Sequence, residues 1–271
     1  MASCAPAAAP TPQPTAKPAE TPAAKPAAPT PKPAESTPFP KPGAEQPRYG
    51  GILDRAMFGD PANLDIHQET SVTGQAPLAN CYNGLVKYDT VELDKVVPDL
   101  AERWEASADG TVWTFHLRKG VRWHDGKPFT SEDARFSLER MAFWKEHKIV
   151  SPRSGAMLTA VKGVEALDEN TVRVTLKYPS ASFISNAAAG WVFILPKHVI
   201  QAKGDMKKDV CGTGPFKFKS YTPGIAWELA KNPEYFITGR PYLDGIRVFV
   251  IKDDATRLAA FRTGRVKMTP I

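Results

Sequence analysis

The stretch VPDLAERWEASADGTVWTFHLRKGVRWHDGKPFTSEDARFSLERM, residues 97–141, packs more structural signals into its length than any other part of the 271-residue chain. Pro98-Asp99-Leu100-Ala101 predicts a short turn that puts Leu100 into a core, and Trp104 opens an extended run. Asp109-Gly110 is a tight-hairpin dipeptide, because glycine accepts the positive φ such turns demand. From Thr111 to Leu117 the residues alternate, with Trp113, Phe115 and Leu117 on one face and Val112, Thr114 and His116 on the other. That is the period of a strand with one buried, aromatic face. Lys119-Gly120 and Asp125-Gly126 mark two further turns. Thr130 then stands as a helix N-cap, with Asp133 placed to reach back to the cap backbone. Ala134, Leu138, Met141 and Ala142 recur at helical spacing. The block reads as a hairpin, a turn and an amphipathic helix.

Outward from that block, the Asp168-Glu169 turn between two alternating runs predicts a second hairpin. Strands are expected near 50–57, 85–89, 111–117, 159–167, 170–177, 191–195, 215–221, 225–231 and 243–251. Helices are expected near 74–84, 131–146, 180–188, 196–203 and 254–263. Strands and helices interleave without a regular βαβ repeat, which predicts an α/β protein with mixed sheets.

The first 48 residues differ in kind. They hold 14 of the 26 prolines, and Ala5 to Pro47 is almost entirely Ala, Pro, Thr, Lys and Glu. Such a segment cannot bury a core and reads as an extended, polyproline-like tether. At about 3.1 Å per residue it reaches on the order of 100 Å. No run of 18 or more apolar residues is present, so no helical membrane span is expected. The net charge of +6 comes from basic residues scattered among acidic ones. A nucleic-acid partner, which needs basic residues gathered on one face, is not expected. The densest basic patch, Arg118 to Arg122, reads as a solvated turn.

Catalytic motifs are missing. There is no G-x-S-x-G, no H-E-x-x-H, no P-loop and no G-x-G-x-x-G after a strand. The five histidines (His67, His116, His124, His147 and His198) lack zinc-ligand spacing, so neither a metal nor a cofactor is expected. His124-Asp125 is a tempting pair, but neighbours in a turn rarely orient one another, and no nucleophile is placed by motif. Gly212-x-Gly214 resembles a phosphate loop only until Pro215, which removes a donor; a sharp turn fits better.

Pro98-Asp99-Leu100-Ala101-Glu102, Trp104, Asp109-Gly110, Leu117-Arg118, Gly120-Val121, Trp123-His124-Asp125-Gly126, Phe129-Thr130 and Phe136-Ser137-Leu138-Glu139-Arg140 occur in a fixed order. This pattern resembles the solute-binding proteins of dipeptide, oligopeptide and nickel ABC importers (family 5). The likeness extends to Tyr49-Gly50-Gly51-Ile52-Leu53, to Ala62-Asn63-Leu64-Asp65, and to Asn80 to Leu85, where Asn83 replaces the usual Glu. It continues through Gly212-Thr213-Gly214-Pro215-Phe216, Asn232 to Phe236, Pro241 to Asp244 and Asp253 to Val266.

The resemblance implies a two-lobe periplasmic-binding-protein-like α/β fold of the type II, peptide-binding class. The first lobe would take 49–250, with an inserted subdomain at about 85–189. Residues 251–271 would form the hinge and the start of a second lobe, so that the chain is truncated near its beginning. The implied function is a receptor that captures peptides or similar small solutes and delivers them to the permease subunits of an ABC transporter, as a monomer. The similar stretch in the family lines the cleft and pairs with an extended peptide by strand addition. That makes Glu69, Thr70, Ser71, Val72 and Thr73 the candidate ligand-binding residues, Thr70 and Val72 foremost. Trp191 is read as a cleft aromatic or a core tryptophan. Cys81 and Cys211 both fall in the implied first lobe; they either pair in an oxidising compartment or lie as separate buried thiols, the second reading being preferred. Met1-Ala2-Ser3-Cys4 reads as the end of a lipobox without its apolar leader, with Cys4 carrying a lipid that anchors the protein to a bacterial membrane, at the cell surface or in the periplasm. The rival expectations are an extracytoplasmic hydrolase and a non-binding fragment of such a receptor.

Overall fold

The computed structural model describes residues 47–149 and 153–270. The Cys4 lipidation site and the tether up to residue 46 lie outside the described residues.

Among the described residues, ten strands and six α-helices follow one another as β1 (Ile52–Met57), α1 (Val72–Leu78), β2 (Val86–Tyr88), β3 (Val96–Pro98), β4 (Ala101–Ala106), β5 (Val112–Leu117), α2 (Ser131–Ala142), α3 (Arg153–Met157), β6 (Val161–Asp168), β7 (Thr171–Leu176), α4 (Phe183–Ala187), α5 (Lys197–Lys203), β8 (Phe216–Thr222), β9 (Ala226–Lys231), β10 (Gly245–Val250) and α6 (Asp254–Arg262). They build a mixed sheet in the order β1-β10-β9-β8, an antiparallel sheet β4-β5-β7-β6 and the small ladder β2-β3. β1 runs parallel to β10, with Leu53 opposite Ile246 and Arg55 opposite Val248. After α6 the chain returns to the free edge of β1, where the Ala56 N–H donates to the Met268 carbonyl at 2.8 Å.

The Asp109-Gly110 turn closes the β4–β5 hairpin, with Trp104 opposite Phe115, and Gly110 adopts a φ of 69°. Asp133 accepts the Thr130 N–H at 3.1 Å, so the helix cap expected from sequence starts α2. The same Asp133 accepts the Lys197 N–H at 3.0 Å, which pins α5 to that cap. α2 packs over β6 and β7, and its apolar positions Ala134, Leu138 and Met141 enter one core with Leu100, Phe115, Trp123 and Val172. A second core gathers Met57, Ile66, Leu78, Leu195, Met206, Trp227 and Val248 under the mixed sheet. Burying side chains of this size contributes about 2 kcal/mol each.

The two cores meet at a glycine seam. A Cβ on Gly212 would stand 1.8 Å from the Cys81 carbonyl oxygen, and one on Gly214 would stand 2.4 Å from the Cys81 carbonyl carbon. Only glycine lets the two backbones approach this closely. His124 closes the seam from the other side. Its N–H donates to the Gly212 carbonyl at 2.8 Å. Its Nδ1 accepts the Gly212 N–H at 3.2 Å, which leaves Nε2 to donate to the Gly214 carbonyl at 3.0 Å. Both ring nitrogens are thus used by one neutral tautomer.

Burial, foremost, lowers the His124 pKa to about 4. The unfolded chain therefore binds a proton near pH 6.5 that the folded chain refuses, so stability is whole above that pH and falls as the pH drops toward 4. The urea midpoint should hold from pH 8 to pH 6.5 and then decline. In His124→Asn the decline should be shallower by about one proton; an unchanged slope would contradict this role. His67, lowered to about 3 by burial, acts with the same sign and remains in the variant.

Several expectations are corrected. Residues 191–195 form no strand. Residues 192–195 are buried, but their amides are taken up singly: Ile194 N–H donates to the Asn83 carbonyl at 2.9 Å and Leu195 N–H to Ser137 Oγ at 2.9 Å. The helix expected to 84 ends at Leu78, after Pro77, and a 3-10 turn Ala79–Cys81 follows. The helix expected to 146 ends at Ala142. The turn expected at 98–101 is present, as a bend at Asp99 and Leu100 that joins β3 to β4 and buries Leu100. Cys81 is buried, Cys211 half-buried, and both are free thiols.

Candidate functional site

In open α/β sheets ligands gather outside the carboxyl ends of parallel strands. The carboxyl ends of β1 and β10 lie side by side, and the loop 58–71 leaves from the first of them. Two buried carboxylates hold that loop. Asp65, fully buried, accepts the His67 N–H at 3.1 Å and Gln68 Nε2 at 2.8 Å. Arg140 at the end of α2 forks onto it, with its two terminal nitrogens 3.2 and 2.5 Å from the two oxygens. Burial pushes the Asp65 pKa up, and the Arg140 charge reverses that push, so the carboxyl ends below its ordinary range. His67 Nε2 donates to the Phe193 carbonyl, 2.8 Å away.

Glu69 is the second anchor. Its Oε2 accepts the Ala62 and Asn63 N–H groups at 2.7 and 3.2 Å, and its Oε1 accepts the Ser71 N–H at 2.6 Å. Gly74 is small because Glu69 fills its space: a Cβ there would meet Glu69 Cγ at 2.3 Å. Ser71 caps α1 by accepting the Gly74 N–H at 3.2 Å, and its Oγ lies 2.7 Å from Thr73 Oγ1. Thr73 in turn donates to the Asp60 carbonyl at 3.0 Å. The Asp60 carboxylate accepts Tyr221 Oη at 2.8 Å and the Gly224 N–H at 2.7 Å, tying the loop to the β8–β9 turn. The Gly224 amide, with Tyr221 and Lys252 behind it, holds the Asp60 carboxyl below its ordinary range.

The five consecutive candidates thus divide by environment. Glu69 and Thr73 are buried and bonded inward, and Ser71 is half-buried at the cap. Thr70 and Val72 are exposed, Val72 at 55%. Phe58, at 44%, and Ile225, at 62%, are exposed on the two segments that Asp60 ties together. Trp191 is half-buried in the turn after α4, two residues before the Phe193 carbonyl that meets His67. Sequence reasoning assigned no role to Asp65, Arg140 or Asp60. Their signal was weak: a polar residue beside Leu64 and Ile66, and an arginine among the apolar positions of a helix.

Glu69→Ala should leave three amides without their acceptor, at a cost of about 3 kcal/mol. Hydrogen exchange at Ala62, Asn63 and Ser71 should quicken by at least about tenfold, whereas β5 should exchange as before. Unchanged protection at those three amides would contradict the anchoring role.

Among the described residues no group of His, Cys, Asp and Glu has metal-holding geometry, and no helix is long and apolar enough to cross a membrane. Residues 95–271 match the family described as bacterial extracellular solute-binding proteins, family 5 Middle. The chain belongs to this family. This family 5 chain is 32% identical over 247 residues to di/tripeptide-binding protein 2 of Pseudomonas aeruginosa, covering 83% of the chain and 46% of that protein. It is 30% identical over 236 residues to the dipeptide-binding protein of Escherichia coli, covering 78% of the chain and 43% of that protein. Among solved structures it is similar to the periplasmic binding protein DppA from Helicobacter pylori in complex with peptide STSA, with a TM-score of 0.72, 34% identity and coverage of 81% and 46%. It is also similar to AgaA from A. tumefacien R10 in complex with agropinic acid, with a TM-score of 0.74, 32% identity and coverage of 80% and 43%. The peptide-binding α/β fold is therefore that of this family 5 chain, which spans less than half the length of these relatives.

Proposed function

We propose that the chain provides the ligand-facing first lobe of a lipid-anchored receptor that captures peptides or similar small solutes and delivers them to the permease of an ABC transporter. The observation that carries the reading is the loop at the end of β1. Two buried carboxylates fix its backbone, and Thr70 and Val72 are left at its surface. A preformed loop spends little entropy on binding an extended ligand. Within a first lobe at 49–250, the separation of an insert at about 85–189 is supported by the two cores, and residues from 251 are read as the hinge. Membership of an extracellular family supports a place outside the cytoplasm. Cys4 carries the lipid, and the proline-rich segment is the tether.

A thermal-shift and native mass-spectrometry screen of the natural protein tests this reading. Di- to oligopeptides should raise the melting temperature and appear as bound mass. A response to opines or oligosaccharides alone would overturn the choice of peptide. Incorporation of labelled palmitate that survives Cys4→Ser would overturn the anchor.

A further inference from the structure

On β1, Leu53, Arg55 and Met57 share one face, because successive residues of a strand alternate. Leu53 and Met57 pack into the core that also holds Leu64 and Ile66 of the 58–71 loop. Arg55 therefore stands on the face over which that loop folds, two residues and about 7 Å before the end of the strand. Asp54 lies on the opposite face, where it accepts Arg247 Nε at 2.8 Å. Fully buried Val248 of β10 flanks Arg55 on one side. Met268 flanks it on the other, where the chain leaving α6 bonds to the edge of β1.

Arg55 has no counter-charge. It is half-buried, and its Nε is wholly buried without a hydrogen-bond partner. Burial lowers its pKa, and no carboxylate among the described residues offsets that. The cations around it are placed differently. Arg140 forks onto Asp65, Lys252 Nζ lies 3.4 Å from Asp60, and Arg257 lies 2.6 Å from Asp254. A desolvated guanidinium left unpaired is a loss to the free protein. An arriving carboxylate, which suits the parallel N–H groups of a guanidinium, recovers it.

We propose that Arg55 binds a carboxylate of the captured solute, so that the receptor takes anionic solutes in preference to neutral ones. The step rests on the reading of the 58–71 loop as the ligand site. Position carries it: Arg55 lies between the face covered by that loop and the strand at Met268, at the one edge of β1 that no sheet strand covers. An acidic side chain and a terminal carboxyl group offer the same chemistry.

The test uses the natural protein and pools of tripeptides that carry Asp or Glu, against matched pools with Asn or Gln, each with a free or an amidated carboxyl terminus. Competition followed by native mass spectrometry should show the parent binding carboxylate-bearing peptides at least about tenfold more tightly than the fully amidated pool. Whichever of the side-chain or terminal acids carries the preference is the source of the carboxylate. Arg55→Met should bind acids and amides alike, at the parent's affinity for the amides. Free of ligand it should melt no lower than the parent, because it loses an unpaired charge and keeps an unbranched apolar stem. A lower melting temperature would reveal a partner inside the protein and overturn the proposal. Equal binding of acids and amides by the parent, or a preference that survives Arg55→Met, would overturn it too. So would equal weakening of both pools in the variant, which would place the carboxylate in the remainder of the receptor. If no pool binds the parent, the capture of peptides falls with it; binding without a preference for acids removes only the role of Arg55.

Discussion

Arg140→Ala should destabilise the fold by about 3–5 kcal/mol, the largest single-residue effect expected. Asp65 and Arg140 expose 0% and 4% of their side chains, so neither charge can fall back on water. In the parent protein Arg140 offsets the desolvation of Asp65 and holds its carboxyl below the ordinary range. The folded state therefore releases the Asp65 proton more readily than the unfolded state does. That stability is present above the unfolded carboxylate pKa and is lost as the pH falls through the folded one. Removing Arg140 leaves burial to raise the Asp65 pKa, and the sign reverses: the variant should lose stability as the pH climbs toward neutral. Asp65→Asn placed on Arg140→Ala should recover part of the loss, because it removes the orphaned charge. Chemical denaturation of both variants across pH 5 to 8 measures this. A cost below about 1 kcal/mol, typical of an exposed pair, would contradict the buried geometry.

Gly212→Ala should cost about 3 kcal/mol, for a different reason. The added carbon would lie 1.8 Å from a backbone carbonyl oxygen, and backbone cannot turn aside as a side chain can. The strain should break the seam where His124 bonds Gly212 and Gly214. Cys211, half-buried and raised to about 11 first by burial, is the local reporter. Its reaction with a thiol reagent at pH 8 should accelerate in Gly212→Ala, because an opened seam hydrates the thiol. Gly190→Ala, whose Cβ meets nothing within 4 Å, is the control and should melt within about 0.5 kcal/mol of the parent. Equal stability of the two variants would contradict the close approach.

What could be read in advance follows from how far each signal reaches along the chain. Asp109-Gly110 and Thr130 with Asp133 settle their structure within a few residues, so the hairpin and the helix cap were legible. Residues 191–195 have the apolar composition of a buried strand, yet no strand lies beside them. Asn83 and Ser137, remote in sequence, satisfy their amides instead. Periodicity contains no information about such partners. The loop at 69–73 was legible as a candidate, but its inner and outer residues were not separable. Thr70 and Thr73 are chemically alike, and only folding buries one and exposes the other. The Asp65–Arg140 pair spans 75 residues. In a single sequence nothing connects a carboxylate in one turn with a guanidinium on a distant helix.

Hydrogen exchange on the natural protein, with and without a bound peptide identified by native mass spectrometry, tests the ligand-facing loop most directly. Peptide should slow exchange across Thr70 to Thr73 and leave the β4-β5-β7-β6 sheet unchanged. Peptide bound by mass, with exchange across Thr70 to Thr73 unaltered, would contradict the placement of the site.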